Sequence, residues 1–579
     1  MRRAAGLLVL FAALSLLHTW PLASNLSGLS RLDNDDAGLN VWIIAWVAHI
    51  LPRRPLDLFE APIFFPEPHT LAYSEHMVVP GLMGAPLLWA GLSPVTVYNL
   101  LVLTGLALSG WTMSLVVRRW TGSTAAGIAA GMLFAFNAHL LTRIVHLQAL
   151  HVEFFPLALM ALDRVLTGSR SATVQRAASL GAASGPERSA PAPVEPVLDR
   201  SRSAAPVAPR AVLARVARRS SAATALASAF VLQALCSNYS LVFLSVALLV
   251  AAAVRAPEWI GPGRGTRAWA LVGAGAMSVL VVAPFLWPYY QVSQAQGLVR
   301  SVDEVRLYSA GWLDYLTTAG RLHYAWWSHR FFEGRTSLFP GVMATGLAAV
   351  ACLAPRAVRD ARLRMVVAIG ATGLALSFGP ALPGYAWLHE HVPLLQGLRA
   401  AARWGFLFLT AVAVLAGHGV AVLERRWQRS VYWPAALMAL LGLITIEALR
   451  APMGFTIFAG VPPIYGRLAN TPGALVELPL YAGRDVSENA RYMVPATVHF
   501  RPLVNGYSGF ETASFRERAA RWRGFPSDEV IDDMRALGVT QVMLHVRDLG
   551  RDQVESAAGS PRLALESDDG ERRLYRVIR

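Results

Sequence analysis

Arg31-Leu32-Asp33-Asn34-Asp35-Asp36 stands just beyond the first long apolar segment, residues 4 to 22, which itself follows Arg2 and Arg3. As a helix rising about 1.5 Å per residue, such a segment nearly crosses a hydrocarbon core of about 30 Å. The basic pair before it marks the cytoplasmic end, so the acidic stretch emerges on the opposite face. Trp20-Pro21-Leu22-Ala23-Ser24 makes a poor small-residue cleavage site, and the segment reads as an uncleaved first span.

The chain downstream repeats this pattern. Of its 579 residues, 54% are hydrophobic and 15% charged, against roughly 25% charged in soluble domains; one water-soluble core cannot absorb that surplus. Further apolar segments lie near 94–117, 122–138, 152–168, 222–237, 239–254, 268–288, 337–354, 365–380, 405–423 and 431–449. With the N-terminus inside, the basic clusters at Arg118 and Arg119, at 164–219, from Arg255 to Arg267, from Arg356 to Arg364 and from Arg425 to Arg429 all fall on the cytoplasmic side. Met77 to Leu92, broken by Pro80, Gly81, Gly84 and Pro86, reads as re-entrant or interfacial. The fold class is therefore a polytopic α-helical membrane protein of about 11 transmembrane helices, residues 1–450. It has a first outer loop at 23–93 and, at 168–221, an Arg-, Ala-, Ser- and Pro-rich stretch read as a disordered cytoplasmic linker. From 451 to 579 the strand-like runs Ala474 to Leu480, Gln541 to Val546 and Arg573 to Ile578 alternate with helical patterns at Ser514 to Arg523 and Asp528 to Leu537. That is a small extracytoplasmic α/β domain.

Composition also excludes functions. The formal charge of +15 is spread in short clusters between apolar spans rather than gathered in one patch, which argues for membrane orientation and against nucleic acid. No lysine occurs; the all-arginine usage with abundant Ala, Gly and Pro points to a GC-rich genome, and the plasma (inner) membrane of a bacterium is the expected location. Cys236 and Cys352 both lie in apolar segments, so neither a disulfide framework nor a thiolate metal site is expected. There is no phosphate-binding glycine loop after a strand, no HExxH and no paired CxxC.

Three clusters on the outer face carry candidate chemistry. Asp33, Asp35 and Asp36 place three carboxylates in four positions, which repel one another unless a cation or basic partner intervenes. They suit a divalent metal, magnesium or manganese, at Asp35 and Asp36, or a general base for a hydroxyl acceptor; alone they also read as a solvated acidic turn. Trp42 and Trp46, four apart in the run that follows, suit a helix lying in the membrane interface.

In the order of these features the chain resembles the GT-C superfamily of polytopic glycosyltransferases, and most nearly its bacterial members of uncharacterised substrate. The resemblance covers the layout: acidic first loop, about eleven spans and an extracytoplasmic tail. It implies a catalytic carboxylate just after the first span, with Asp35 and Asp36 matching the paired pattern best. It also implies a polyprenyl-phosphate-linked sugar as donor.

The second cluster, Asn137, His139, Arg143, His146, Gln148, His151 and Glu153, stands at an outer membrane boundary. His146, Gln148 and His151 can bind a sugar or metal, or serve structurally; His139, Arg143 and His146 share one helical face if the helix continues. The third cluster holds Arg399 and Arg403, four apart on one helical face at the outer interface, where orientation bias would not have put them. Guanidinium pairs clamp phosphate oxygens, as a lipid-phosphate leaving group requires; snorkelling toward headgroups is the plainer role. Asn505-Gly506-Tyr507-Ser508-Gly509-Phe510 reads as a hairpin turn.

The expected function is inverting transfer of a sugar from a polyprenyl-phosphate donor to a glycan, lipid or protein acceptor of the envelope. Asp33, Asp35 or Asp36 would act as base or metal ligand, and Arg399 or Arg403 would neutralise the departing phosphate. Membrane lipids are the other partner. A lipid or polysaccharide transporter predicts ionisable groups at span midpoints, where His418 is the main exception to apolar sequence; a non-catalytic envelope scaffold is the remaining alternative.

Overall fold

A computed structural model describes residues 2–167, 209–297, 300–355, 357–469 and 471–578. Each expected span coincides with one helix: α1 Arg2–His18, then, after α2 Asp35–Ile50 and α3 Val78–Trp89, α4 Pro94–Thr121, α5 Thr124–Ala135 and α6 Phe154–Thr167. The series continues with α7 Pro209–Ala234, α8 Asn238–Val254, α9 Gly265–Gln296, α10 Val342–Leu353, α11 Ala361–Ser377, α12 Gly405–Trp427 and α13 Trp433–Ala448. Among the described residues, Pro94–Thr121, Thr124–Thr142, Gly265–Gln296 and Ala401–Trp427 are long and apolar enough, by length and composition, to cross a membrane. Shorter apolar helices accompany them, and the chain is a multi-pass helical membrane protein.

Local chemistry sets the helix limits. The Ser93 hydroxyl accepts from Thr96 N at 3.2 Å and Pro94 opens α4, a proline where the N–H would be unpaired anyway. Ser123 caps α5 in the same way. The central helix α12 packs on α5, α10 and α11, and its Gly419 leaves room that a side chain would lose, because a Cβ there would overlap the Leu347 carbonyl of α10. Small residues at such crossings let backbones approach when lipid offers no hydrophobic drive. On α9, Trp269, Leu280 and Trp287 remain exposed, an apolar face for lipid.

One expectation changes in this part of the chain. The stretch 168–208 lies outside the described residues, but 209–221, expected as linker, opens α7; Pro at the helix start and an Ala- and Arg-rich sequence favour that outcome. Within Met77 to Leu92, Val78–Trp89 forms the short helix α3, packed against α2 and α4.

The tail contains α14 Ala490–Ala496, α15 Ala513–Arg521, α16 Asp528–Ala536 and α17 Arg551–Gly559. Two short strands, β1 Leu29–Ser30 and β2 Thr456–Ile457, pair antiparallel and join the first outer loop to the start of the tail. The main sheet has β3 Ala474–Leu478, β4 Val539–His545, β5 Leu563–Asp568 and β6 Arg572–Val577, in the order β3-β4-β6-β5. β3 and β4 run parallel, which requires the long crossover through 479–538. Val476, Leu478, Val542 and Leu544 pack against Ile531 and Met534 of α16. The unexpected strand is β5, largely exposed along its second half, so its sequence lacks a clear apolar alternation.

Asn505 to Phe510 is not a hairpin. The Asn505 side chain accepts from Glu477 N and donates to Glu477 O, both at 2.7 Å, so it pairs with the edge of β3 as another strand would. On its other side the first outer loop joins in, with Phe64 N donating to Asn505 O at 3.1 Å and Phe65 N to Leu503 O at 3.0 Å. Gly506 packs where a Cβ would overlap the Phe64 ring. First loop and tail thus fold as one layer over the helical bundle.

Candidate active site

Asn34 caps α2 by accepting from Asp36 N at 3.2 Å, which sets Asp35 and Asp36 in the first turn, where the helix N-terminus favours negative charge. The three acids then part company. Asp33 turns back to Arg31 in a two-pronged ion pair, at 3.0 and 3.2 Å. Asp35 lies near Ser487 and Glu488 of the tail; burial, then Glu488 and Asp36, raise its pKa against a hydrogen bond with Ser487. Asp36 accepts from the Tyr507 hydroxyl at 2.9 Å through Oδ1 and meets His146 Nε2 at 3.1 Å through Oδ2. Burial works to raise its pKa, but His146, Tyr507 and the charge of Arg403 prevail and bring it to about 2. Its side chain keeps 40% exposure, so the carboxylate is both fixed and reachable.

His146 is delivered by a loop that the rest of the site pins down. Asn40 donates from Nδ2 to Val145 O at 2.9 Å and to Gln148 Oε1 at 3.1 Å, and the Tyr98 hydroxyl donates to Val145 O at 2.9 Å. Burial is the main influence lowering the pKa of His146, and Arg403 and Arg143 act in the same sense against the bond to Asp36. A neutral imidazole donating from Nε2 to an ionised Asp36 follows.

Behind His146 lies a narrow pocket with about 30 Å³ of water-accessible space, lined by His139, Arg143, Gln148, Glu75, Tyr239 and Arg403 among others. Its walls are mostly apolar, with Leu140, Val152, Phe243 and Phe406 beside the polar groups, and its volume suits a small number of waters. Arg403 stacks on Tyr239 with its guanidinium 4.3 Å from the ring centre, while its buried Nε has no hydrogen-bond partner. Arg143 Nε is likewise buried and unpartnered, and burial followed by the charge of Arg403 disfavours protonation there. Guanidinium groups hold their charge nonetheless, so the pocket carries positive charge that the protein does not fully answer. Glu75 accepts from Asn238 N at 2.7 Å; burial raises its pKa, while its hydrogen bonds and the charge of Arg403 work the other way.

Several expected arrangements are altered. His139, Arg143 and His146 share a pocket but not a helix, since the helical turn ends at Thr142. Arg399 and Arg403 are also not on one helix: the chain reaches a short 3-10 turn only at Ala401–Trp404, and Arg399 stacks separately on Tyr308 at 4.7 Å. His151 is fully buried and bonds Glu153 Oε1 at 3.0 Å through Nδ1, set apart from the pocket. Trp42 and Trp46 are buried between α2 and its neighbours rather than lying in an interface, and Trp46 donates to Leu58 O at 2.8 Å. The partners of Asp36 are a histidine and a tyrosine, and among the described residues no three His, Cys, Asp or Glu side chains converge as a metal ion needs. Asp35 and Asp36, the two carboxylates expected to hold a divalent metal, stand side by side in the first turn of α2. Sequence reasoning missed Tyr507, Tyr239 and the inward turn of Glu75; the aromatic between two glycines was the available sign for Tyr507.

No protein-family model and no curated protein matches the sequence. Solved structures do. The chain superposes on the apo crystal structure of the Archaeoglobus fulgidus oligosaccharyltransferase with a TM-score of 0.50 at 12% identity, covering 94% of this chain and 70% of that one. Similarity extends to ArnT from Cupriavidus metallidurans bound to undecaprenyl phosphate, with a TM-score of 0.47 at 12% identity over 99% of this chain and 98% of that one. At 12% identity the likeness is one of fold, and the chain shares the fold of that oligosaccharyltransferase.

Proposed function

On this GT-C fold, we propose that the chain transfers a sugar from a polyprenyl-phosphate donor to an envelope acceptor, with Asp36 as the base. The observation that carries the proposal is the Asp36–His146 bond, which joins an ionised, reachable carboxylate to a pocket of under-compensated guanidinium charge. The donor phosphate lies against Arg143 and Arg403, with Arg399 at the approach. The acceptor hydroxyl takes the place of the Tyr507 hydroxyl at Asp36 Oδ1. Its oxygen attacks the anomeric carbon from the face opposite the phosphate, its proton passes to Asp36, and the C–O bond to phosphate breaks with the electron pair leaving on the phosphate oxygen. The anomeric centre inverts.

A carboxylate with a pKa near 2 is a weak base, which suits a proton lost late, after the new bond has made the hydroxyl strongly acidic. The larger contribution comes from the arginines, fixed cations aimed at the charge that develops on the leaving group. Asp35, with its raised pKa, is the second carboxylate on the acceptor side.

Mass spectrometry of lipid-linked sugars and envelope glycans from cells with and without the gene tests this reading without choosing a substrate in advance. A lipid-linked sugar accumulates and one glycan loses a residue when the gene is absent. Identical profiles would count against transferase activity.

A further inference from the structure

A cavity of about 290 Å³ lies away from Asp36, in the tail. It opens where β4 ends at His545, beside the end of the parallel strand β3. The carboxyl ends of parallel strands are where such sheets offer binding crevices. Its volume sits at the lower edge of the roughly 300–1,000 Å³ range of small-molecule pockets, the scale of a single sugar unit.

A buried polar network supports the floor. Glu477 is fully buried on β3, and its Oε2 accepts from the Tyr465 hydroxyl at 2.6 Å and meets His545 Nε2 at 2.7 Å. With Glu477 ionised, His545 donates from Nε2, which fixes the ring that lines the cavity. Around the mouth, Arg491 pairs with Asp548 at 3.0 Å, and Glu571 pairs with Arg547 at 3.1 Å and Arg572 at 3.4 Å.

Charge decides the ligand. Each arginine of the lining has a carboxylate partner, Arg491 with Asp548, Arg547 with Glu571, and Arg572 with Asp569 at 3.2 Å as well as with Glu571. This differs from the pocket behind Asp36, where Arg143 Nε and Arg403 Nε are buried without a hydrogen-bond partner. A phosphate or uronate gains little from paired guanidiniums. Vicinal hydroxyls, each both donor and acceptor, match a wall of alternating planar donors and acceptors, and Pro462 and Pro495 add apolar surface for the C–H face of a ring.

The cavity also connects to the reacting end. Arg491 and Pro495 belong to α14, which packs on α2, with the Ala490 carbonyl against Gly38 two residues beyond Asp36. We propose that the tail cavity is a saccharide site that holds an uncharged sugar unit of the acceptor glycan. Its role as an acceptor site rests on the transferase reading above; sugar binding itself does not.

The test is saturation-transfer NMR on the purified full-length protein in detergent. The probes are the methyl α-glycosides of D-mannose, D-galactose and D-glucose, with D-glucuronate and inorganic phosphate as charged controls. At least one neutral glycoside binds saturably, and His545→Ala and Asp548→Ala each raise its Kd about tenfold or more, equivalent to ~1.4 kcal/mol. Arg547→Ala, on a mostly exposed side chain, provides a third variant if either of those fails to fold. Asp36→Asn leaves glycoside binding unchanged. The proposal is overturned if no neutral glycoside binds, if only glucuronate or phosphate binds, or if binding ignores every folded variant. Asp36-dependent transfer without glycoside binding would remove this site alone; glycoside binding without any transfer would leave the site and remove the transferase reading.

Discussion

At the residue scale the argument turns on how differently neighbouring aspartates are treated. Asp33 spends its charge on an exposed pair with Arg31, of the kind worth about 0–1 kcal/mol, so Asp33→Asn leaves both transfer and thermal stability close to wild type. Asp36→Asn keeps the shape but removes the proton acceptor, and kcat falls by about 10²-fold or more. Its pH behaviour is also fixed by its partners. On the proposed mechanism transfer needs the Asp36 anion, and a pKa of about 2 puts the acid limb of the wild type at the low end of the pH profile. Tyr507→Phe removes one bond that holds this pKa down, so the acid limb of kcat/KM moves upward toward the ordinary carboxylate value of about 3.9. An unmoved limb in that variant would show that Tyr507 does not tune Asp36. The sequence made the acidic cluster visible but not the division of labour within it, because Tyr507 lies 471 positions away from Asp36. His146 could be named from its place at a membrane boundary; its bond to Asp36 could not, since Asn40 and Tyr98 supply the geometry.

At the scale of elements, the apolar helices were legible because apolar length is a local property. What the spans enclose was not. Arg399 and Arg403 read as a helical pair by spacing, yet the chain between them is not helical, and each finds its own tyrosine. That arrangement predicts a specific outcome. Arg403→Lys keeps the charge but loses the planar stack on Tyr239 and the forked donors, so polyprenyl phosphate binds about tenfold or more weakly, a cost of ~1.4 kcal/mol, measurable by competition in detergent. Helix crossings make a second test. Gly419→Val drives a side chain into the Leu347 backbone of α10, and the thermal midpoint of the purified protein drops, whereas the nearby open position Gly346 tolerates Ala. The expected hairpin at Asn505 failed for a related reason: glycine and asparagine signal a turn, but here they serve close approach and pairing with the edge of β3.

At the scale of the whole molecule, the first outer loop and the tail are one structure, joined by β1 with β2, by Phe64 and Phe65, and by Tyr507 at Asp36. Both therefore share a side of the membrane. Cysteine placed at Ser560 or at Ser27, in the protein lacking Cys236 and Cys352, reacts with a membrane-impermeant maleimide from outside intact inner-membrane spheroplasts; labelling of only one of the two would break the shared topology. The central claim is chemical, and its most direct measurement is single-turnover release of polyprenyl phosphate from a purified lipid-linked sugar fraction, comparing the wild-type protein with Asp36→Asn. Release coupled to acceptor glycosylation in the wild type, with loss in a folded, membrane-inserted Asp36→Asn, is the predicted result; equal release by both proteins would contradict it.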